Sequence, residues 1–188
     1  DYVGNPVLDA IKAHVEDNQF VSKNQLTKEL PCIALLPGSR KQESKRIIPL
    51  MAKVVKKFPN YQFAVAAVNN LDPSWYQELN GFKNVKLIFE DTYNLLLNSS
   101  AAIVTSGTAT LETALFKVPQ IVVYKANTLS YWLAKWLVSV PFISLVNLIA
   151  GKEVVKEFIQ SEANPEYVSK ELTRILEDKP YAEGIKAE

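Results

Sequence analysis

The stretch Ala101-Ala102-Ile103-Val104-Thr105-Ser106-Gly107-Thr108-Ala109-Thr110-Leu111-Glu112 decides how this chain folds. Four apolar residues and a threonine read as a buried strand. The strand breaks at Ser106-Gly107, and a helix opens directly behind it. The first turn of any helix carries backbone N–H groups with no partner inside the helix, so such a junction is a place to hold an anion. A second strand–turn–helix unit, Ile33-Ala34-Leu35-Leu36-Pro37-Gly38-Ser39-Arg40, sets a guanidinium at the matching end of another strand. Two such turns in one chain point to a nucleotide diphosphate site.

Working outward, residues 62–67, 85–89 and 120–124 are further short apolar runs, joining 32–36 and 101–105 as strand candidates. Continuous rather than alternating apolar runs are expected of parallel strands covered on both faces. Between them lie helical patterns at about 43–58, 73–80, 92–98 and 107–116. Pro49 interrupts the first, so a short turn followed by a helix starting at Pro49 is expected. Alternating strands and helices imply an α/β fold with a doubly wound, mainly parallel sheet and helices on both faces, Rossmann-like in type. Ligands of such sheets gather at the carboxyl ends of the strands, where both turns fall.

The flanks are less regular. Residues 6–15 read as an amphipathic helix and 16–29 as a polar connector. Thr128 to Val138 carries Leu129, Trp132, Leu133, Trp136 and Leu137 at helical spacing. Core packing is its default reading, with contact against a membrane or acyl chain as the alternative. Residues 142–150 read as an apolar loop or short strand, and 153–160 and 164–178 as helices.

Composition narrows the function. The 188 residues, 48% hydrophobic, are enough for one domain with a real core. Twenty-one basic residues against twenty acidic ones give no basic footprint for nucleic acid. A single cysteine, Cys32, excludes an internal disulfide and fits a reducing cytoplasm. No apolar stretch approaches the roughly 20 residues of a membrane span. The only methionine is Met51, so the chain reads as a piece of a longer protein.

Several side chains are candidates for chemistry. Ser106 to Thr110 either hold a diphosphate with backbone amides and two threonine hydroxyls, or form an ordinary cap. Glu112 either complements the helix dipole or accepts hydrogen bonds from a ribose diol. Arg40 is either a surface cation or the group that neutralises a leaving diphosphate. Asn147, amid aliphatic residues, must satisfy either backbone or a ligand. Glu157 and Gln160, three apart, would share a helix face. The one histidine, His14, has no evident acid–base partner. No histidine–cysteine metal cluster and no Ser-His-Asp arrangement is evident.

Taken together, Leu35 to Arg40, Ser106 to Glu112, Trp132-Leu133-Ala134-Lys135 and Ser144 to Gly151 through Glu157-Phe158-Ile159-Gln160 resemble the lipid-A-disaccharide synthase family. The opening Tyr2-Val3-Gly4-Asn5-Pro6 resembles the linker into the second half of those enzymes, and the likeness runs over nearly the whole chain in order. It implies the carboxyl-terminal half of an inverting GT-B glycosyltransferase. That enzyme joins UDP-2,3-diacylglucosamine to 2,3-diacylglucosamine 1-phosphate in lipopolysaccharide synthesis of Gram-negative bacteria. The resemblance further implies work in the cytoplasm, peripherally on the inner membrane, with no metal or cofactor, and it is compatible with a homodimer.

By the same resemblance Gly38, Ser39, Ser106, Gly107, Thr108, Ala109 and Thr110 would surround the UDP diphosphate and Glu112 its ribose. Arg40 and Asn147 would stabilise charge, Glu157 and Gln160 would belong to the donor site, and Asn69 is a weaker candidate at the same edge. The general base would lie in the other half of the enzyme. Two positions depart from the family pattern: Val146 stands where proline is frequent, and Asn5 where histidine is. Rival readings are another UDP-sugar enzyme of this architecture, such as a UDP-N-acetylglucosamine 2-epimerase, and a non-catalytic nucleotide-binding module.

Overall fold

In the computed structural model, which describes residues 6–125 and 141–188, the apolar runs pair into one parallel sheet. Its strands are β1 (Cys32–Leu36), β2 (Gln62–Ala67), β3 (Val85–Phe89), β4 (Ala101–Thr105), β5 (Gln120–Tyr124) and β6 (Lys156–Ile159). The spatial order is β3-β2-β1-β4-β5-β6, with every neighbouring pair parallel. Ile33 stands opposite both Phe63 and Ala101, which makes β1 and β4 the central pair. All five residues of each are buried, as strands covered on both faces require.

The helices are α1 (Pro6–Ala13), α2 (Phe20–Lys23), α3 (Lys41–Val55), α4 (Gln77–Asn80), α5 (Thr92–Leu97), α6 (Thr108–Leu115), α7 (Leu145–Ala150), α8 (Pro165–Glu177) and α9 (Lys179–Ala187). A 3-10 turn, Pro73–Tyr76, leads into α4. Alternate strand residues feed two cores. Ile33, Leu35, Ile103, Ile121 and Val123 pack with Ile47 and Met51 of α3 and with Val168 and Leu172 of α8. Ala34, Leu36, Ala102 and Val104 pack on the other face with Leu95 and Leu96 of α5 and with Phe20.

The five apolar strands fall on their expected residues, and four other segments differ from expectation. The polar segment 16–29 contains α2, because Phe20 is fully buried and pins it to the sheet. Helix α3 does not begin at Pro49 but runs unbroken from Lys41 through it. An interior proline costs about 3 kcal/mol. Ile47, Ile48, Leu50, Met51, Val54 and Val55 are all buried around it, each worth about 1.5–3 kcal/mol. That apolar stripe outweighs the lost hydrogen bond.

Residues 145–150 are a helix, not a loop or strand. Ser144 caps it by accepting the Asn147 N–H at 3.3 Å, and Gly151, with φ at +66°, ends it. Residues 156–159, read as helical, form the edge strand β6 against β5. Glu157 and Gln160 therefore do not share a helix face. The segment Thr128 to Val138 falls outside the described residues.

Candidate functional site: a cleft at the reversal of strand order

Strand order reverses between β1 and β4, since β1 leads outward to β2 and β4 leads outward to β5. Loops leaving the carboxyl ends of two such strands part, and the gap is where open α/β sheets take ligands. A cleft of about 480 Å³ lies there. Gly38, Ser39 and Arg40 form one wall, Ser106, Gly107, Thr108 and Ala109 the other, and Thr92 and Glu112 close one side. Arg40 and the start of α6 thus face a single cavity.

The first wall depends on backbone shape. Gly38 has φ at +90°, a conformation that side chains disfavour. A Cβ there would also sit 3.4 Å from Glu43 Oε2. The Ser44 hydroxyl ties the turn to α3, reaching Gly38 O at 3.0 Å and Arg40 O at 3.2 Å. Arg40 stands at the rim with its side chain 82% exposed, paired with Glu43 at 3.1 Å. An exposed pair of this kind contributes little to stability and exchanges partners readily.

The second wall is the first turn of α6. Thr108 and Ala109 have no helical carbonyl to bond, which leaves their N–H groups at the cleft. A Cβ on Gly107 would meet nothing within 4 Å, so the space before the turn is open. Glu112 follows one turn on, half-buried, and Tyr93 donates to its Oε1 at 3.5 Å. Burial, and next the Glu112 charge, raise the Tyr93 phenol above its ordinary pKa. Tyr93 is seated edge-on against His14, whose Nε2 lies 3.3 Å from Asn94 Oδ1.

Thr110, Asn69, Asn147, Glu157 and Gln160 do not line this cleft. Thr110 is fully buried and its hydroxyl donates to Gly107 O at 2.8 Å, which shapes the turn from within. Asn69 is exposed just beyond β2, with its N–H on Glu90 Oε1 at 3.3 Å. Gln160 follows β6 with φ at +55°, and its N–H bonds Tyr124 O at 2.9 Å.

Asn147 and Glu157 form a lock beside the cleft. Asn147 is fully buried. Its Nδ2 donates to Val155 O and Glu157 Oε1, both at 2.8 Å. Its Oδ1 accepts from Val154 N at 2.8 Å and Val155 N at 3.0 Å. All four places on the amide are filled by the chain itself, so Asn147 satisfies backbone. Glu157 in turn accepts from Ile143 N at 2.8 Å and from Ser144 N at 3.0 Å and Oγ at 2.7 Å. Ile143 O receives the Ser106 hydroxyl at 2.9 Å, which tethers the lock to the α6 turn.

Sequence reasoning missed Thr92, Tyr93 and Thr105 as neighbours of the site. Thr105 was accessible to it as the last residue of a central strand. Tyr93 was not, because its meeting with Glu112 depends on how α5 packs. Among the described residues no group of three or more His, Cys, Asp or Glu is gathered as metal ligands would be, and no helix is long and apolar enough to cross a membrane.

Comparison with solved structures supports the architecture. The S. aureus MnaA–UDP co-structure superposes with a TM-score of 0.66 at 16% identity, covering 97% of this chain and 46% of that one. E. coli ADP-heptose lps heptosyltransferase II gives 0.60 at 12% identity, over 89% and 54%. At such identities these likenesses speak for the fold alone. Sequence relatives are nearer. A lipid-A-disaccharide synthase of Syntrophus aciditrophicus is 39% identical over 100% of this chain and 51% of its own length. One of Persephonella marina is 34% identical over 99% and 52%. The chain spans about half the length of these curated relatives. The family model described as lipid-A-disaccharide synthetase matches residues 1–187. By sequence along its length, this chain belongs to the lipid-A-disaccharide synthase family.

Proposed function

We propose that this chain is the donor-binding half of an inverting glycosyltransferase that transfers diacylglucosamine from UDP to 2,3-diacylglucosamine 1-phosphate, releasing UDP. The observation that carries the reading is the cleft at the strand-order reversal, where the α6 amides and Arg40 converge. A departing UDP concentrates negative charge. Preorganised N–H groups at a helix start, with a cation close by, stabilise that charge without a metal. The diphosphate would lie across Gly107 to Ala109, and Arg40 would leave Glu43 to meet it. Glu112, steadied by Tyr93, would take the ribose hydroxyls. The acceptor site and general base would belong to the remainder of the enzyme, and the chain would act peripherally at the cytoplasmic face of the inner membrane.

Titration of the chain with UDP, UMP and ADP tests this. Preference for UDP over both UMP and ADP is expected, the first for the second phosphate and the second for the base. Equal affinity for UDP and ADP would refute a uridine donor. In the longer enzyme, turnover of unacylated UDP-N-acetylglucosamine as fast as the diacyl donor would favour the epimerase-like alternative.

A further inference from the structure

Thr105 closes β4 at the floor of the cleft, between the Gly38 turn and the start of α6. It is 4% exposed, and its hydroxyl oxygen has no hydrogen-bond partner among the described residues. Two threonines further along, in α6, are different. Thr110 donates to Gly107 O at 2.8 Å and Thr113 to Ala109 O at 2.7 Å. Threonine hydroxyls in strands and helices rarely stay unpaired once buried, and an orphan usually marks an absent ligand or water.

The surroundings fit that explanation. Strand alternation puts Thr105 on the face of Ile103, toward α3. Gly38 lies directly beside it, since a carbon added there would be in van der Waals contact, 3.7 Å from Thr105 Cβ and Cγ2. Valine would fill the same volume with no polar group to satisfy. A threonine here therefore adds nothing to packing that valine would not, and its hydroxyl goes uncompensated among the described residues.

We propose that the Thr105 hydroxyl is a binding contact for a diphosphate oxygen, set beneath the α6 amides and opposite Arg40. This rests on the nucleotide-diphosphate reading of the cleft and adds to it a side chain that donates from the sheet itself. The proposal makes two effects of one substitution run in opposite directions. Thr105→Val removes an unsatisfied buried hydroxyl, so the chain keeps or gains stability. The same change removes a hydrogen bond to a charged oxygen, so diphosphate affinity falls.

The experiment is an NMR titration of wild type, Thr105→Val and Thr105→Ser with UDP and with uridine, alongside thermal unfolding of each. Thr105→Val is expected to unfold at or above the wild-type midpoint. It should bind UDP about tenfold more weakly, which is ~1.4 kcal/mol, and bind uridine as wild type does. Thr105→Ser should stay within about twofold of wild type for UDP. Undiminished UDP binding by the valine variant would overturn the Thr105 contact while leaving the donor reading in place. Equal weakening for UDP and uridine would overturn it too, since the loss would not involve phosphate. Wild type that binds no UDP would refute the donor reading and this contact with it.

Discussion

Replacing Asn147 by alanine tests whether its amide serves the fold or the ligand. The substitution strips the acceptor from Val154 N and Val155 N and the donor from Val155 O, and takes one of the donors from Glu157. Val155 is itself only 1% exposed, so water replaces these partners poorly. Each buried polar group left unsatisfied costs about 1–3 kcal/mol. Three such groups bring the loss to about 3–9 kcal/mol, a large part of the 5–15 kcal/mol that holds a typical domain. Urea unfolding followed by tryptophan fluorescence should give a midpoint far below wild type.

Asn147→Asp sharpens the test. One carboxylate oxygen keeps the bonds from Val154 and Val155, but the other faces Val155 O and the Glu157 carboxylate, both acceptors. The introduced carboxyl favours its proton in the folded state, so its pKa rises above the unfolded value of about 3.9. Its stabilising form is complete below that value and is lost as pH rises through the folded one. The variant should therefore be weak at pH 7 and recover toward pH 4 relative to wild type. A wild-type midpoint for Asn147→Ala, together with lost UDP binding, would refute the reasoning and put the amide in the cleft.

Three further outcomes follow from the same geometry. Arg40→Ala should leave the unfolding midpoint within about 0.5 kcal/mol, because its pair with Glu43 is exposed; in the longer enzyme turnover should fall about a hundredfold. Glu43→Gln should tighten UDP binding about threefold by titration, since it frees Arg40 and removes a negative charge worth ~0.6 kcal/mol at about 7 Å in water. Burial pushes the Cys32 thiol up to about 12, so iodoacetamide at pH 8 should label the unfolded chain and spare the folded one, read by mass spectrometry.

The fold was legible wherever apolar runs were long enough to be buried on both faces. Strands β1, β2, β4 and β5 are almost wholly buried and β3 is apolar but for Lys86, so their positions follow from sequence alone. Strand β6 was illegible because it has four residues, half of them charged, and all four are only partly buried. Its conformation follows from pairing with β5 and from the pull of Ser144 and Asn147 on Glu157, neither of which is local. The same holds for α3, where the proline signal is local and the buried stripe that overrides it is tertiary. The cleft was legible in its backbone turns and less so in its side chains. Glu157 and Asn147 have the chemistry of ligand contacts, and only their depth and partners reveal a different task.

That division has a physical cause. An anion site built from helix amides works only if the helix start is held still before the ligand arrives, because reorganising it on binding would consume the gain. Here the start of α6 is held from several directions. Ser106 is bound to Ile143 O, Thr110 closes on Gly107 O, and Gln120 Nε2 from β5 grips Thr110 O at 2.8 Å. Ile143 is fixed by Glu157, and Glu157 by Asn147. Much of the polar surface around the turn is thus committed to its shape, while the first N–H groups of α6, the exchangeable Arg40 guanidinium and Thr105 are among what is left to line the cavity. Loosening the lock should therefore weaken phosphate binding even though no member of it touches the cleft, and the weakening should scale with lost order at Ser106 to Ala109.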